Sequence, residues 1–385
     1  MELGLLIPVK KGGHYDFGKR CQESLDQILS LKKMGFTLQE IKSMFLFGSL
    51  SRLHSKEEKA YYRSYFKKNL ERIEEDLKRL EAAKSLVIKT LDTTEEVDSR
   101  SKSVIGIPLR MLPMLECPSC KSDLMLKSGQ VTDNKIINGA LGCGCGKTYA
   151  IQNGILVIDP IYIDMDFPQD TDMRVEYFQT TSKEYIEKIY VAGRWMENVL
   201  EGWNETSVIL EPGIGSGYAL GQCIHIIPEG SLYIAVDHNM NRLEEIQTYF
   251  AKSEMNFDLV LIGADFLSLP IKNKTVDVLM DMSGSSNRAF DSEIFLIKDI
   301  NRVLNDEVQL FALYILAEGI QEDAIPKKYH RLFNRQPILN ELSDLGFDII
   351  AEFETDKVYE GGPHEDYIDF VKSTWTFCCY AKRSI

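Results

Sequence analysis

The sequence predicts an α/β fold built on a parallel sheet, and three observations carry that expectation. Val208-Ile209-Leu210 is a short apolar run ending in Glu211, with glycines at 213, 215 and 217 and then a helix-compatible stretch from Tyr218 to Ile226. Ser231 to Val236 is a second such run, and it also ends in a carboxylate, Asp237. Asp258 to Gly263 and Val276 to Met280 are two more, with Asp265 and Asp281 just beyond them. Unbroken apolar runs suit strands buried on both faces, as parallel strands are.

A glycine loop lets the backbone turn sharply and approach a ligand, because no Cβ intervenes. A tight βα turn with no ligand would use the same glycines. The carboxylate at the second strand end adds to the ligand reading. Asp237 lies twenty residues past Gly217, where an acid can accept both hydroxyls of a ribose. Four strand ends with a glycine loop and acids between them make a binding edge for a nucleoside.

Glu211-Pro212-Gly213-Ile214-Gly215-Ser216-Gly217 resembles motif I of class I S-adenosylmethionine-dependent methyltransferases, with Glu-Pro-Gly where Asp-x-Gly is usual. Asp237 matches that family's ribose-binding acid. Ala264-Asp265-Phe266, with Leu269-Pro270-Ile271, is similar to its adenine-contacting segment. Val276 to Met280 and Ile300 to Leu304 match its fourth strand and the helix after it. The likeness spans roughly residues 175 to 385. It implies a Rossmann-like domain with a seven-stranded mixed sheet. It also implies S-adenosylmethionine as cofactor, held by Glu211, Gly213, Gly215, Gly217, Asp237, His238, Asp265, Phe266 and Asp281. A dinucleotide-binding domain fits less well, since Leu220 stands where a further glycine belongs.

At 385 residues the chain has room for two or three domains. Its 44% hydrophobic and 26% charged residues match a soluble globular protein. No apolar run approaches the ~20 residues that cross a bilayer, and Met1 to Lys11 is too short and wrongly ordered for a signal peptide. The eight cysteines are mostly clustered, which without an export signal favours metal or free thiols over disulfides. The expected location is the cytoplasm. Net charge is −14, and residues 1–100 carry 19 Lys and Arg against 16 Asp and Glu. The excess negative charge therefore lies in the remainder, a poor match for nucleic acid.

In residues 1–50, a Lys-Lys-Gly-Gly turn at 10–13 precedes His14 to Phe17, a short return strand. Leu25, Ile28, Leu29 and Leu31 recur at helical spacing until Gly35. Thr37 to Glu40 is a capping box opening a second helix with Ile41, Met44 and Phe45 on its apolar face. Gly4-Leu5-Leu6-x-Pro8, Gly13-x-Tyr15 and Met34-Gly35-Phe36-x-Leu38-x-Glu40-Ile41 resemble the later part of the MerR-regulator domain, its wing and two following helices. That family's helix-turn-helix would precede Gly4. In what remains Lys10, Lys11 and Lys19 can touch phosphates, but nothing can read base edges, so DNA binding is not the leading expectation.

Ser55 to Glu58 is a second capping box, opening a long helix over 51–92. Phe66, Leu70, Ile73, Leu77, Leu80, Lys84, Val87 and Leu91 form a heptad seam broken only by the lysine. The MerR resemblance implies that two copies pair there in an antiparallel coiled coil; packing on the chain's own later domains is the alternative. Residues 93–114 read as a linker, polar and acidic to Lys102 and extended from Ile105 to Leu115.

Residues 115–160 bring Cys117-x-x-Cys120 and Cys143-x-Cys145, two paired-cysteine turns in the layout of a four-thiolate zinc site. The 22 residues between Cys120 and Cys143 suit a β-ribbon. Zinc would supply much of the folding free energy of so small a segment. A catalytic zinc is not expected, because four thiolates leave no open position. Lys147 to Leu156 resembles the end of small zinc ribbons, including one fused ahead of certain ribosomal RNA guanine methyltransferases.

The last domain is 161–385. Asp159 to Asp172 is acidic and loop-like, and Glu176 to Leu200 gives one or two helices. Tyr177, Phe178 and Tyr185 are candidates to cover the cofactor. Asp281 to Asn287 reads as a polar, flexible loop, where the resemblance places the methyl acceptor. It lacks the Asn/Asp-Pro-Pro-aromatic pattern of enzymes that methylate exocyclic amines of bases. Gln309 to Ile315 is a fifth strand, Ile338 to Leu345 a helix, and Phe347 to Phe353 with Ser373 to Ala381 a closing antiparallel pair. Cys378 and Cys379 in the last strand read as packing thiols.

Methyl transfer from a sulfonium needs the acceptor held ~3 Å from the methyl carbon, in line with sulfur. A general base is needed only if the acceptor must lose a proton. Asp281, Tyr314 and His330 are candidates, and none is singled out. Three functions follow: a dimeric methyltransferase of small molecules, a regulator that senses S-adenosylmethionine without turnover, and a ribosomal RNA methyltransferase.

Overall fold

The computed structural model describes residues 3–50, 55–95, 103–158, 162–163 and 173–384. Residues 96–102 of the linker expected at 93–114, and residues 159–161 and 164–172 of the acidic loop expected from Asp159 to Asp172, lie outside the described residues, as does the Ser55 side chain of the second capping box. By its contacts the chain divides into two compact units, 1–99 and 100–385.

The first unit begins with a hairpin of β1 (Val9–Lys11) and β2 (His14–Asp16), with Val9 opposite Asp16. Helices α1 (Lys19–Lys33), α2 (Leu38–Leu50) and α3 (Ser55–Glu95) follow. Gly35, with φ +89°, takes the left-handed conformation that ends α1. Thr37 and Glu40 form the capping box: the Glu40 carboxylate accepts from the Thr37 amide at 2.7 Å, and the Thr37 hydroxyl from the Glu40 amide at 3.2 Å. Ile28, Phe36, Ile41 and Met44 make a small core. The first half of α3 closes it, with Phe66 edge-on to Phe36 and Asn69 donating to the Met34 carbonyl at 2.7 Å. Farther along, Leu77, Leu80, Val87 and Leu91 are all more than half exposed.

Among the described residues, the strands of the second unit form one sheet of twelve. Seven of them are β8 (Val208–Pro212), β9 (Leu232–Asp237), β10 (Asp258–Gly263), β11 (Val276–Met282), β12 (Leu304–Glu318), β13 (Phe347–Glu354) and β14 (Ser373–Arg383). They lie in the order β10-β9-β8-β11-β12-β14-β13. The first five are parallel, and β14 runs antiparallel between β12 and β13. From β8 the chain steps outward through β9 and β10, then returns to place β11 on the other side of β8. That reversal beside β8 is where doubly wound sheets open a crevice for a ligand.

The other five strands are β3 (Ile107–Pro108), β4 (Met125–Thr132), β5 (Lys135–Gly142), β6 (Thr148–Gln152) and β7 (Ile155–Val157). They extend the same sheet, because β7 pairs parallel with β10, Leu156 opposite Ile262. The turn from β4 to β5 is Asp133-Asn134, both at positive φ (49° and 60°), as a two-residue hairpin prefers. The stretch expected to be extended through Leu115 is instead a 3-10 helix from Leu109 to Met114. Met111 of this turn is buried in the main core.

Helices cover both faces: α4 (Met173–Thr180), α5 (Lys183–Leu200), α6 (Tyr218–Cys223), α7 (Met240–Phe250), α8 (Gly284–Arg288), α9 (Leu296–Ile300) and α10 (Arg335–Asp344). Of the segment expected to be a flexible loop, Asp281 to Asn287, Asp281 and Met282 end β11 and Gly284 to Asn287 belong to the short helix α8. Its Ser285 and Ser286 are 3% and 1% exposed. The Asp281 carboxylate accepts from the amide of Ser285 at 2.9 Å and from its hydroxyl, which fixes the first turn. No helix among the described residues is long and apolar enough to cross a membrane.

Candidate functional site

The loop after β8 hooks under the end of β9. The amides of Gly213 and Ile214 both donate to the Val236 carbonyl, at 2.7 and 3.2 Å. Gly213, Gly215 and Gly217 all have left-handed φ, 75°, 53° and 71°, where a side chain is strained. Their surroundings differ. A Cβ on Gly217 would stand 2.4 Å from Ile246 and 3.0 Å from Phe250, so this glycine lets α6 pack on α7. A Cβ on Gly215 would meet only the Gly213 carbonyl, at 4.0 Å. Space therefore opens above the middle of the loop.

Asp237 faces that space. One carboxylate oxygen accepts from the Gly215 amide at 3.2 Å and the other from the Asn239 amide at 2.9 Å. The side chain is 9% exposed, and each oxygen keeps a second lone pair. His238 beside it is largely exposed, with Nδ1 3.7 Å from Asp237. Residue 162 docks on the same strand end, its amide donating to the His238 carbonyl at 2.9 Å. At the end of β10, Asp265 accepts from the Leu267 amide at 2.8 Å, and Phe266 packs against Gly213. Gly213, Gly215, Gly217, Asp237, His238, Asp265 and Phe266 thus share one rim of the sheet.

Glu211 and Asp281 are buried at the ends of β8 and β11. Glu211 is 1% exposed and accepts from the Tyr233 hydroxyl at 2.6 Å. Burial, aided by the nearby Asp237 charge, pushes its carboxyl up to about 8 against the pull of the Tyr233 hydrogen bond. Asp281 is wholly buried at the start of α8, and burial pushes it up to about 6 despite the Ser285 bonds. Tyr314 is buried between Phe295 and Phe377. His330 Nε2 is 2.6 Å from the Ile325 carbonyl. None of the three candidate bases stands free at the rim. Tyr177 and Tyr185 are held in a polar cluster, donating to Glu365 at 2.6 Å and paired with the Tyr367 hydroxyl at 3.1 Å, while Phe178 is exposed.

The four cysteines on the two turns come together. Their sulfurs all lie within 4.8 Å of one another, Cys117 to Cys145 at 3.8 Å and Cys120 to Cys143 at 3.3 Å. A tetrahedron with 2.3 Å zinc–sulfur bonds has edges of about 3.8 Å, so the set fits the metal. The separations are far beyond a disulfide bond. Burial opposes ionisation of Cys117. The Tyr149 hydroxyl and the amides of Cys120 and Ser119 outweigh it, holding that thiol down at about 6, which suits a thiolate ligand.

Lys188 belongs to no motif, because single lysines are ordinary on helices. The signal is its register: Tyr185, Lys188, Ala192 and Met196 step along the buried stripe of α5.

No protein-family model matches this sequence, and no curated protein does. Solved structures resemble about half of it. Geranyl diphosphate C-methyltransferase from Streptomyces coelicolor A3(2) is 11% identical over 51% of this chain and 76% of its own, with a TM-score of 0.37. An S-adenosylmethionine-dependent methyltransferase from Methanosarcina mazei is 14% identical over 47% of this chain and 94% of its own, at 0.34. The [4+2]-cyclase SpnF is 14% identical over 50% and 81%, at 0.37.

Proposed function

We propose that this chain is an S-adenosylmethionine-dependent methyltransferase of small molecules. It carries a structural zinc on Cys117, Cys120, Cys143 and Cys145 and pairs with a second copy through α3. One observation carries the activity: at the switch point of the sheet the Asp237 carboxylate accepts from the Gly215 amide at 3.2 Å, beside the open space where a Cβ on Gly215 would stand.

In this reading the free lone pairs of Asp237 take the ribose hydroxyls, and Gly215 admits the ligand because it carries no Cβ. Phe266 and Asp265 border the adenine, and Phe266 in turn buttresses Gly213. Glu211 and Asp281 act from beneath: one joins β8 to β9 through Tyr233, and the other locks α8 against the rim. The bound sulfonium supplies a methyl carbon that already carries its leaving group. The protein's contribution is therefore to orient the acceptor and exclude water. The zinc's four thiolates leave no open position, so it holds the β4–β5 hairpin and takes no part in the chemistry. Isothermal calorimetry with S-adenosylhomocysteine tests the reading directly. Binding at one site per chain is expected, and its absence from zinc-loaded protein would refute it.

A further inference from the structure

Lys188 is buried, 5% exposed, and among the described residues it has neither an ion pair nor a hydrogen-bond acceptor. Its Nζ lies 3.8 Å from the centre of the Tyr185 ring. Glu365 is the carboxylate whose field it feels, but that acid is already engaged. One oxygen accepts from the Tyr177 hydroxyl at 2.6 Å and the other from the Gly362 amide at 3.1 Å.

The position of Lys188 relative to the rim follows from packing along α5. Trp203, just past the C-terminal end of α5, lies beside Phe311, with 6.2 Å between tilted rings. Ala192 packs on Leu313 and Cys378, the row level with Met282 at the end of β11. Tyr185 packs on Val358 and Ile368, farther toward the end of β12. α5 therefore runs opposite to β12, and Lys188, one turn beyond Ala192, lies past the end of β11, the strand end where the methyltransferase reading places the acceptor. The neighbouring Ile189 carbonyl accepts from the Tyr218 hydroxyl at 3.0 Å, and Tyr218 directly follows the glycine loop.

A buried ammonium without a counter-charge is expensive. Burial pushes Lys188 down to about 7, although Glu365 and Cys378 pull the other way. The ionisable groups around it are Tyr185 on its own helix, Glu365 and Tyr367 on the 360s segment, Tyr177 on α4 and Cys378 on β14. A base with a value near the working pH is the efficient kind.

We propose that Lys188 is the general base for an acceptor carrying an ionisable hydroxyl, a phenol or an enol. The inference rests on the methyltransferase reading. The acceptor O–H gives its proton to the neutral Nζ, and the oxygen's electron pair forms a bond to the methyl carbon. The carbon–sulfur bond breaks with its electrons going to sulfur, and the Lys188 ammonium later returns its proton to solvent. Moving the proton from phenol to amine leaves the buried pair with no net charge, and the Tyr185 ring face stabilises the ammonium that forms. An aliphatic amine acceptor, charged at neutral pH, would repel that ammonium, and a carboxylate acceptor would need no base.

The test uses the full chain, zinc-loaded and saturated with S-adenosylhomocysteine, with lysine Cε labelled by 13C. K188M, close in volume to the native residue, assigns the signal. Lys188 is expected to titrate near pH 7, and added phenol is expected to raise that midpoint by at least one pH unit. Titration alongside the exposed lysines, or a midpoint that phenol leaves unchanged, overturns the proposal. With labelled S-adenosylmethionine and simple phenols, aryl methyl ethers are expected, formed at least ~100-fold more slowly by K188M and K188R. Undiminished transfer by K188R, which keeps a cation but cannot take a proton, would show a binding role and overturn the base assignment. Failure to bind S-adenosylhomocysteine would instead refute the methyltransferase reading and leave the titration of Lys188 to stand on its own.

Discussion

The Tyr233 hydroxyl donates to Glu211 at 2.6 Å inside a core where both residues are at most 1% exposed. A carboxyl raised to about 8 by burial holds its proton at neutral pH, whereas the unfolded chain releases it near 4.5. Between those values the folded state binds more protons, so this group's contribution to stability falls as pH rises from about 4.5 to about 8. Glu211→Gln keeps the shape and removes the titration. The difference in unfolding free energy between wild type and variant, measured by urea at pH 5 and pH 8, should move in the variant's favour by a few kcal/mol at most, taking ~1.4 kcal/mol per pH unit.

The glycines of the loop separate stability from binding. Gly217→Ala adds left-handed strain of ~1–2 kcal/mol and a clash with Ile246 and Phe250 between α6 and α7. It should lower the melting temperature clearly. Gly215→Ala brings the same strain into open space. It should destabilise less, yet weaken S-adenosylhomocysteine more than tenfold, because its methyl enters the ligand's volume. Paired thermal melts and calorimetry would check both.

Zinc removal is expected to unfold the hairpin unit. Metal analysis should find one zinc per chain. Cys117→Ser or a strong chelator should remove it and lower the melting temperature by roughly 10 °C, since structural zinc contributes several kcal/mol. Unchanged melting after complete metal loss would contradict a structural role.

The exposed seam of α3 predicts a dimer. Leu77 and Leu80 are 54% and 60% exposed on one copy, which a helix with a heptad seam does not tolerate alone in water. Sedimentation should show two copies for wild type, and Leu77→Asp with Leu80→Asp should give a monomer that keeps its S-adenosylhomocysteine binding.

Much of this was legible in local pattern. Five parallel strands and the closing pair fall where apolar runs and the loop glycines place them, because buried parallel strands need such runs whatever surrounds them. The four cysteines converge as their spacing implies. Less legible was anything set by distant partners. Nothing local says that Leu156 would lie opposite Ile262 and merge the hairpins into the main sheet. Glu211 and Asp281 fall at strand ends, and nothing local says that Tyr233 and Ser285 would be their hydrogen-bond partners. The polar residues 283–286 suggest a loop until the Asp281 cap makes them a helix.

In the proposed function, Asp237 and the glycine loop hold an adenosyl ligand. Calorimetry of S-adenosylhomocysteine against wild type and Asp237→Ala tests it most directly. Loss of an acid that bonds two ribose hydroxyls, at ~1.5–3 kcal/mol per charged hydrogen bond, should weaken binding by ~100-fold or more with little change in fold by circular dichroism. Equal affinity in the two proteins, or no heat with wild type, would contradict it.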